Sequence, residues 1–420
     1  MLMRTSARTL LAVAVLLLLG GLAALGWWYQ ARQQPTAGQP AGTLTVEVTS
    51  AADRGPGTLR EALFIVAAAA GKADVLLKVK SIAPETPLPP LVNPHGVRIL
   101  TQQGGGTEID ARGLSGGPLL DVAGANTSIE GLQLRNCAAS AILLRAAQFR
   151  LRTSTIESCD VGVDVAENAS DVLLEGNRFT GDRIGVRFAA STRNAAVVGN
   201  TFSHSRDAGV WAVRGAPDAH GTAITVRDNH FDSDRSGLVA ANVALLVERN
   251  EFAAHPEAGV QLLGAGAVVR GNHLSGGPAM GIIADNAREA VIDNNELDHL
   301  GAYGIMVRSS ASILVRANRV HNCAYGLAFV LGDPQRPSTA TDNTIIAPQF
   351  NGIDVVGDSP ILRHNQVLQP RAYALHVADF ERPDGSKVAA RPVLDNNNFR
   401  ANTLATVAAG THAPGVNSHE

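Results

Sequence analysis

Past residue 30 the chain holds only three tyrosines, Tyr303, Tyr325 and Tyr373, and each stands directly before a short apolar segment led by Gly or Ala ("GIMV", "GLAF", "ALHV"). Asn351 takes the same place before the intervening segment "GIDV". His299 and His321 lie four residues upstream of the first two tyrosines, so a constant period stacks them on one another. Arg371, Asp354 and His376 fall in the same stretch. Tyrosine and histidine pass protons, and arginine neutralises a carboxylate. The set therefore suits metal-free abstraction of a proton beside the carboxylate of a uronate sugar. His299, Tyr303, His321 and Tyr325 are the candidate acid-base groups, Arg371 the charge neutraliser, and Asp354, Tyr373 and His376 the substrate contacts. Two plainer uses fit the same residues: flat faces for sugar rings without chemistry, and an aromatic stack that stabilises the fold.

These residues can meet only if the chain returns to the same place at a fixed interval, and a repeat does that. A segment of the form apolar-x-x-Asn-x-apolar recurs with its Asn at Asn177, Asn200, Asn229, Asn250, Asn272, Asn295, Asn318, Asn343, Asn365 and Asn397, about every 24 residues. Leu132 and Ser154 fill that place in two earlier copies. Eight or nine residues after each Asn comes Gly followed by alternating apolar residues, from "GVDV" at 162–165 onward. Short period-2 segments punctuated by Asn and Gly, without Asn-Gly pairs at hairpin spacing, describe strands that coil. The expected fold is all-β: a right-handed parallel β-helix of about 12 rungs, with an N-terminal α/β cap, behind one transmembrane or signal helix. The Asn column is expected to be a ladder of side-chain amides at a tight turn where the backbone is left-handed.

Alternation makes the outward residues of the Gly-led strand readable. They run Asp164, Arg187, Trp211, Val239, Gln261, Ile283, Met306, Ala328, Asp354 and His376. Insertions at 214–221, 331–340 and 378–391 all follow this strand, which marks it as the candidate cleft. Trp211 and Arg187 form a second possible sugar platform there.

The stretch "SAADRGPGTLREAL" resembles the opening of many exported parallel β-helix proteins, and with the repeat it makes residues 43 to about 400 similar to the pectate-lyase-like superfamily. The resemblance implies that the opening segment covers the first rung, and that the cleft lies beside the longest loops. It does not carry over a familiar activity. A calcium-dependent pectate lyase clusters carboxylates on neighbouring rungs, and no two acidic residues are adjacent in the outward column. The paired aspartates of polygalacturonases and the Asp-Pro-His-Asp motif of alginate epimerases of this fold are absent.

The remaining readings bound location and partners. Leu10 to Trp28 is an unbroken apolar or glycine run after Arg4 and Arg8, and Trp27 and Trp28 end it like an interfacial belt. Residues 1–29 are thus expected to be a signal anchor, or a signal peptide cut near Ala24-Leu25-Gly26. Residues 30–42 form a linker, 43–112 the cap, 113–404 the β-helix and 405–420 a tail. The body would then face the periplasm or the cell exterior, held through the N-terminal helix or secreted if that helix is cleaved. Within the cap, Thr58 and Glu61 form a capping box ahead of Leu59, Leu63 and Val66. The net charge of -3 lacks the basic field that a phosphate backbone requires, so nucleic acid is not an expected partner; a polysaccharide or glycoconjugate is. His230 and His273 are separated by Glu251 in the column order, and Asp232 and Asp234 lack further ligands, so no metal or other cofactor is expected. Cys137, Cys159 and Cys323 each fall five positions after a repeat anchor, which suits either a disulfide between the first two or buried thiols in a column of small residues.

Overall fold

The computed structural model describes residues 42–102, 106–189, 191–213, 224–264 and 266–400. Apart from Gly42 they belong to the unit Thr43–Glu420. The expected export helix at 1–29, nearly all of the linker, the 214–221 insertion and the tail lie outside the described residues. Among those described, no helix is long and apolar enough to cross a membrane.

The described chain winds as a right-handed parallel β-solenoid of about 13 turns, against the 12 counted from the repeat. Sheet A has fifteen strands, from Leu44–Val48 to Val393–Asp395; sheet B has fourteen, from Ser81–Ile82 to Asn398–Arg400; sheet C has twelve, from Leu120–Val122 to Leu375–Ala378. The additional turn comes from residues 43–112, where Leu44–Val48, Ala73–Leu77 and Val97–Thr101 pair in parallel as the first strands of sheet A. Much of the expected cap is therefore coil. Its one helix, α1 (Leu59–Ala67), buries Leu59, Ala62, Leu63 and Val66 and packs on the first two strands of sheet A. The capping pair forms with one shift: the Glu61 N–H donates to Thr58 Oγ1, and Glu61 Oε2 accepts the N–H of Gly57, the residue before the cap, at 2.6 Å.

The Asn ladder lies between sheets A and B, with its side chains turned inward. Asn250 is typical: its Oδ1 accepts the backbone N–H of Asn229 at 3.0 Å and Asn229 Nδ2 at 2.9 Å, while its own Nδ2 donates to Val226 O at 2.9 Å. The left-handed residue of this turn is not the ladder Asn but the one before it, including Gly176, Gly199, Asp228, Arg249, Ala317 and His364. Asparagine suits this place for what its amide bonds, since nine of the ten ladder positions are buried and would otherwise leave peptide groups without partners.

The glycine that opens each sheet C strand has a packing cause. Phe179, Phe202, Phe231 and Phe252 stack inside the coil with ring centroids 4.7–4.8 Å apart. A Cβ on Gly209 would meet Phe231 Cδ1 at 2.7 Å and the Gly237 carbonyl oxygen at 2.9 Å. Side chains of sheet B, rings up to Gly237 and aliphatic groups such as Leu274 and Val320 beyond it, thus occupy the volume that side chains on sheet C would need.

Candidate functional site

Strand register places Asp164, Arg187, Trp211, Val239, Gln261, Ile283, Met306, Ala328, Asp354 and His376 opposite one another in turn, as one outward column of sheet C. At the C-terminal end of this sheet a cluster forms. Tyr303 pairs with Tyr325 in register, and their rings stack at 4.5 Å with 26° between planes. Phe350 continues the stack, 4.9 Å from Tyr325, and is 49% exposed. An aromatic face built this way suits the apolar side of a sugar ring.

Asp354 lies at the foot of the stack, 4% exposed, and its carboxylate collects three donors. Tyr303 Oη donates to Oδ2 at 3.0 Å, while Asn351 Nδ2 at 2.7 Å and His376 Nδ1 at 3.0 Å donate to Oδ1. A buried carboxylate needs such partners, and these three in turn fix the groups that surround it. In the neutral tautomer that donates its Nδ1 proton to Asp354, His376 leaves Nε2 as an acceptor, the arrangement in which a carboxylate orients an imidazole base. Tyr373 lies beside it, ring centroids 6.1 Å apart. Burial first, and the Asp354 charge second, push the Tyr303 hydroxyl well above the ordinary phenol range. Tyr303 therefore acts as a fixed donor to Asp354 and does not give up its proton near neutrality.

The two upstream histidines do not join this cluster, and they do not stack on each other. His321 ends a strand of sheet B and pairs in register with Asp298, not His299. Its Nδ1 is 2.9 Å from Asp298 Oδ1 and its Nε2 3.2 Å from Glu296 Oε1. His299 is left-handed, as is Asn322 one residue after His321, and is 2.7 Å from Asp298 Oδ2. The one-residue slip arises at the corner into sheet C, where Leu300-Gly301-Ala302 spans what Cys323-Ala324 spans one turn later. Both histidines are thus held by carboxylates on the sheet B side.

The other candidates separate as well. Arg371 is exposed in the turn before Tyr373, its N–H bonded to Pro348 O, and its guanidinium has no ion pair among the described residues. Arg187 is held by Asp164 through two hydrogen bonds, 2.9 Å from Nε and 2.5 Å from Nη2, which leaves little of it for a ligand. Trp211 is half-buried beside it, four turns before the Met306 position and so about 19 Å away at ordinary strand spacing. Phe350 and the three-donor role of Asp354 are not apparent from the repeat. In "APQFNG" the aromatic stands two residues before the glycine, against one in "AYG", and this shifted position is the signal that was present.

A second column of polar residues lies inside the coil. The position five after the anchor holds, over the first six turns of the repeat, Cys137, Cys159, Asp182, Ser205, Asp234 and His255, all buried. Asp182 Oδ1 accepts the Cys159 N–H at 2.7 Å, and Asp234 Oδ1 the Ser205 N–H at 2.8 Å. Burial pushes the Asp182 carboxyl up to about 8 and that of Asp234 up to about 7. The three cysteines are free, buried thiols. Among the described residues no group of three or more His, Cys, Asp or Glu side chains is placed to hold a metal ion.

Fold and register together define a parallel β-helix protein with an aromatic and Asp-His cluster on one sheet. The family model described as "Right handed beta helix region" matches residues 93–220 and 218–367, and the chain belongs to that family. Among solved structures, it is similar to a tailspike protein mutant of E. coli bacteriophage HK620 in complex with a hexasaccharide, at 12% identity over 87% of this chain and 80% of that one, TM-score 0.58. It is also similar to a PL6 alginate lyase in complex with a trisaccharide (11% identity, 90% and 91% covered, TM-score 0.53). A third is the catalytic unit of a GH87 alpha-1,3-glucanase from Streptomyces thermodiastaticus (13% identity, 88% and 70% covered, TM-score 0.53). At such identities the likeness is one of fold. No curated protein matches the chain by sequence.

Proposed function

We propose that the protein binds an extracytoplasmic polysaccharide at the end of sheet C and modifies a uronate residue of it, by metal-independent elimination or epimerisation. The observation that carries the reading is the Asp354–His376 pair beside the Tyr303–Tyr325–Phe350 stack. The stack receives a sugar ring, and Arg371 meets its carboxylate. His376 Nε2 takes the proton from the carbon next to that carboxylate. In elimination the electron pair released forms a double bond to the neighbouring carbon, whose bond to the glycosidic oxygen breaks, and solvent protonates that oxygen. In epimerisation solvent delivers a proton to the opposite face of the same carbon, and the proton held by His376 returns to solvent. Asp354 is a positioning residue that fixes the reactive tautomer. The alginate lyase and the tailspike protein named above, both solved with oligosaccharides, support a carbohydrate partner. Export through residues 1–29, as an anchor or a cleaved signal, belongs to the same proposal.

The test is to incubate the purified protein with a panel of uronate polymers and follow the absorbance of unsaturated product together with exchange of solvent protons. His376→Ala should lose activity by at least about 100-fold and regain part of it with added imidazole. Asp354→Asn should lower kcat with little change in KM. Wild-type protein that binds the polymers yet yields neither signal would leave the second reading, a noncatalytic carbohydrate-binding or assembly scaffold, which the exposed aromatic stack alone supports.

A further inference from the structure

The outer face of sheet A changes character along the coil. Its middle outward column begins Asp74, Arg98, Ser128 and Arg150 and then turns to Leu173, Ala196, Thr225, Leu246, Val268, Val291 and Leu314. The polar beginning forms the floor of an open groove of about 900 Å³ that runs from Lys72 to Asn194 across successive turns. That volume is in the range of ligand sites, and no chemistry assigned above uses it.

Two cations in the groove stand out by their lack of partners. Other arginines of this face pair with carboxylates of an adjacent turn: Arg152, also in the groove, with Glu175, Arg270 with Glu248, Arg316 with Asp293. Arg98 is likewise held by Asp74. Lys72 and Arg150 are exposed, and neither makes an ion pair among the described residues. Their neighbours in the lining include the amides of Gln148 and Asn126, which donate and accept in the pattern that hydroxyl groups need. Three carboxylates also line the groove: Asp74, which holds Arg98, Asp171, which accepts from Asn194 Nδ2, and Glu130. Glu130 lies one residue beyond the floor column, in register with Arg152, and it adds to the electrostatic hold on Arg98.

We infer that this groove is a second carbohydrate site, which holds an acidic oligosaccharide along the coil with Arg150 and Lys72 on its carboxylates. The inference rests on the proposed polysaccharide function but places the contact on another face, away from the Asp354–His376 pair. A chain-holding site of this kind keeps a polymer near the protein between encounters with the sheet C cluster.

Titration calorimetry of the whole protein with a short oligogalacturonate tests it, with a neutral oligoglucan as control. Wild-type protein should bind two equivalents. The double variant Lys72→Glu, Arg150→Glu should keep one and lose affinity at the other by at least about tenfold, while turnover of a short substrate stays unchanged. Tyr325→Ala should keep the complementary equivalent. Arg150→Lys, which retains charge but not the bidentate fork, should weaken binding less than the double variant. If Tyr325→Ala alone abolishes all binding, or the double variant binds as wild type does, the groove inference is overturned and the sheet C reading stands. Equal binding of the neutral control in the groove overturns the acidic-ligand assignment. Absence of binding by the wild-type protein removes both.

Discussion

Asp182 and Asp234 illustrate how one buried residue type sets a property of the whole chain. Each uses one carboxyl oxygen as the ladder asparagines use their amide oxygen, to accept a backbone N–H from the preceding turn, but leaves Oδ2 buried without a partner. The carboxyls titrate near 8 and 7 when folded, against 3.8 in the open chain. Between those values the folded state binds more protons than the unfolded, so stability falls as pH rises from about 4 toward 8. His255 works the other way. Burial lowers it to about 4, so its contribution is lost as pH falls below about 6.5. Asp182→Asn and Asp234→Asn keep the acceptor without the charge. They should raise the melting temperature at pH 8 relative to wild type and flatten its decline with pH, as followed by circular dichroism. A wild-type melting temperature that climbs steadily from pH 5 to pH 8 would contradict this assignment. The offset of five residues was legible for the three cysteines, with buried thiols among the readings it suited, but that Asp182, Ser205, Asp234 and His255 share the buried column was not. A position that takes Cys, Asp, Ser and His in turn has no hydropathy signature.

At the scale of elements, sheets B and C are coupled through the phenylalanine stack. Phe231→Ala removes a fully buried ring flanked by two others and should cost about 3–5 kcal/mol. Gly209→Ala should cost about 1–3 kcal/mol by overpacking, because its Cβ meets both a ring carbon and a carbonyl oxygen under 3.0 Å. The two sites touch, so the double change should cost less than the sum, a coupling measurable in a double-mutant cycle by urea denaturation. The Gly-led strand was recognisable as a repeat, but its glycine reads from sequence as a turn residue. In the fold it is a gap shaped for a ring some twenty residues away. The helix α1 is the opposite case. Its start was legible in Thr58 and Glu61 because capping is a local hydrogen-bond pattern that needs no partner from elsewhere.

Along the whole coil each turn rests only on its neighbours, and stability is therefore carried locally. Asn250→Ala would strip an acceptor from Asn229 and leave the Val226 carbonyl without its side-chain donor, at about 1–3 kcal/mol. Hydrogen exchange should quicken in the adjoining turns and remain slow in distant ones, whereas uniform acceleration from residue 43 to 400 would mean that the coil opens as one unit. The sequence by itself determined the repeat, the three-sheet coil, the outward column of sheet C and the stack of Tyr303 on Tyr325. All of these follow from period-2 alternation and a nearly constant turn length. Only the tertiary structure decided what joins that stack. One additional corner residue turned His299 away from His321, an aromatic displaced by one position brought Phe350 in, and burial made Asp354 the carboxylate that orients His376. Spacing in sequence fixes which turn a side chain belongs to. The corner geometry of each turn, which depends on single insertions and on what packs beneath, fixes which neighbour it meets.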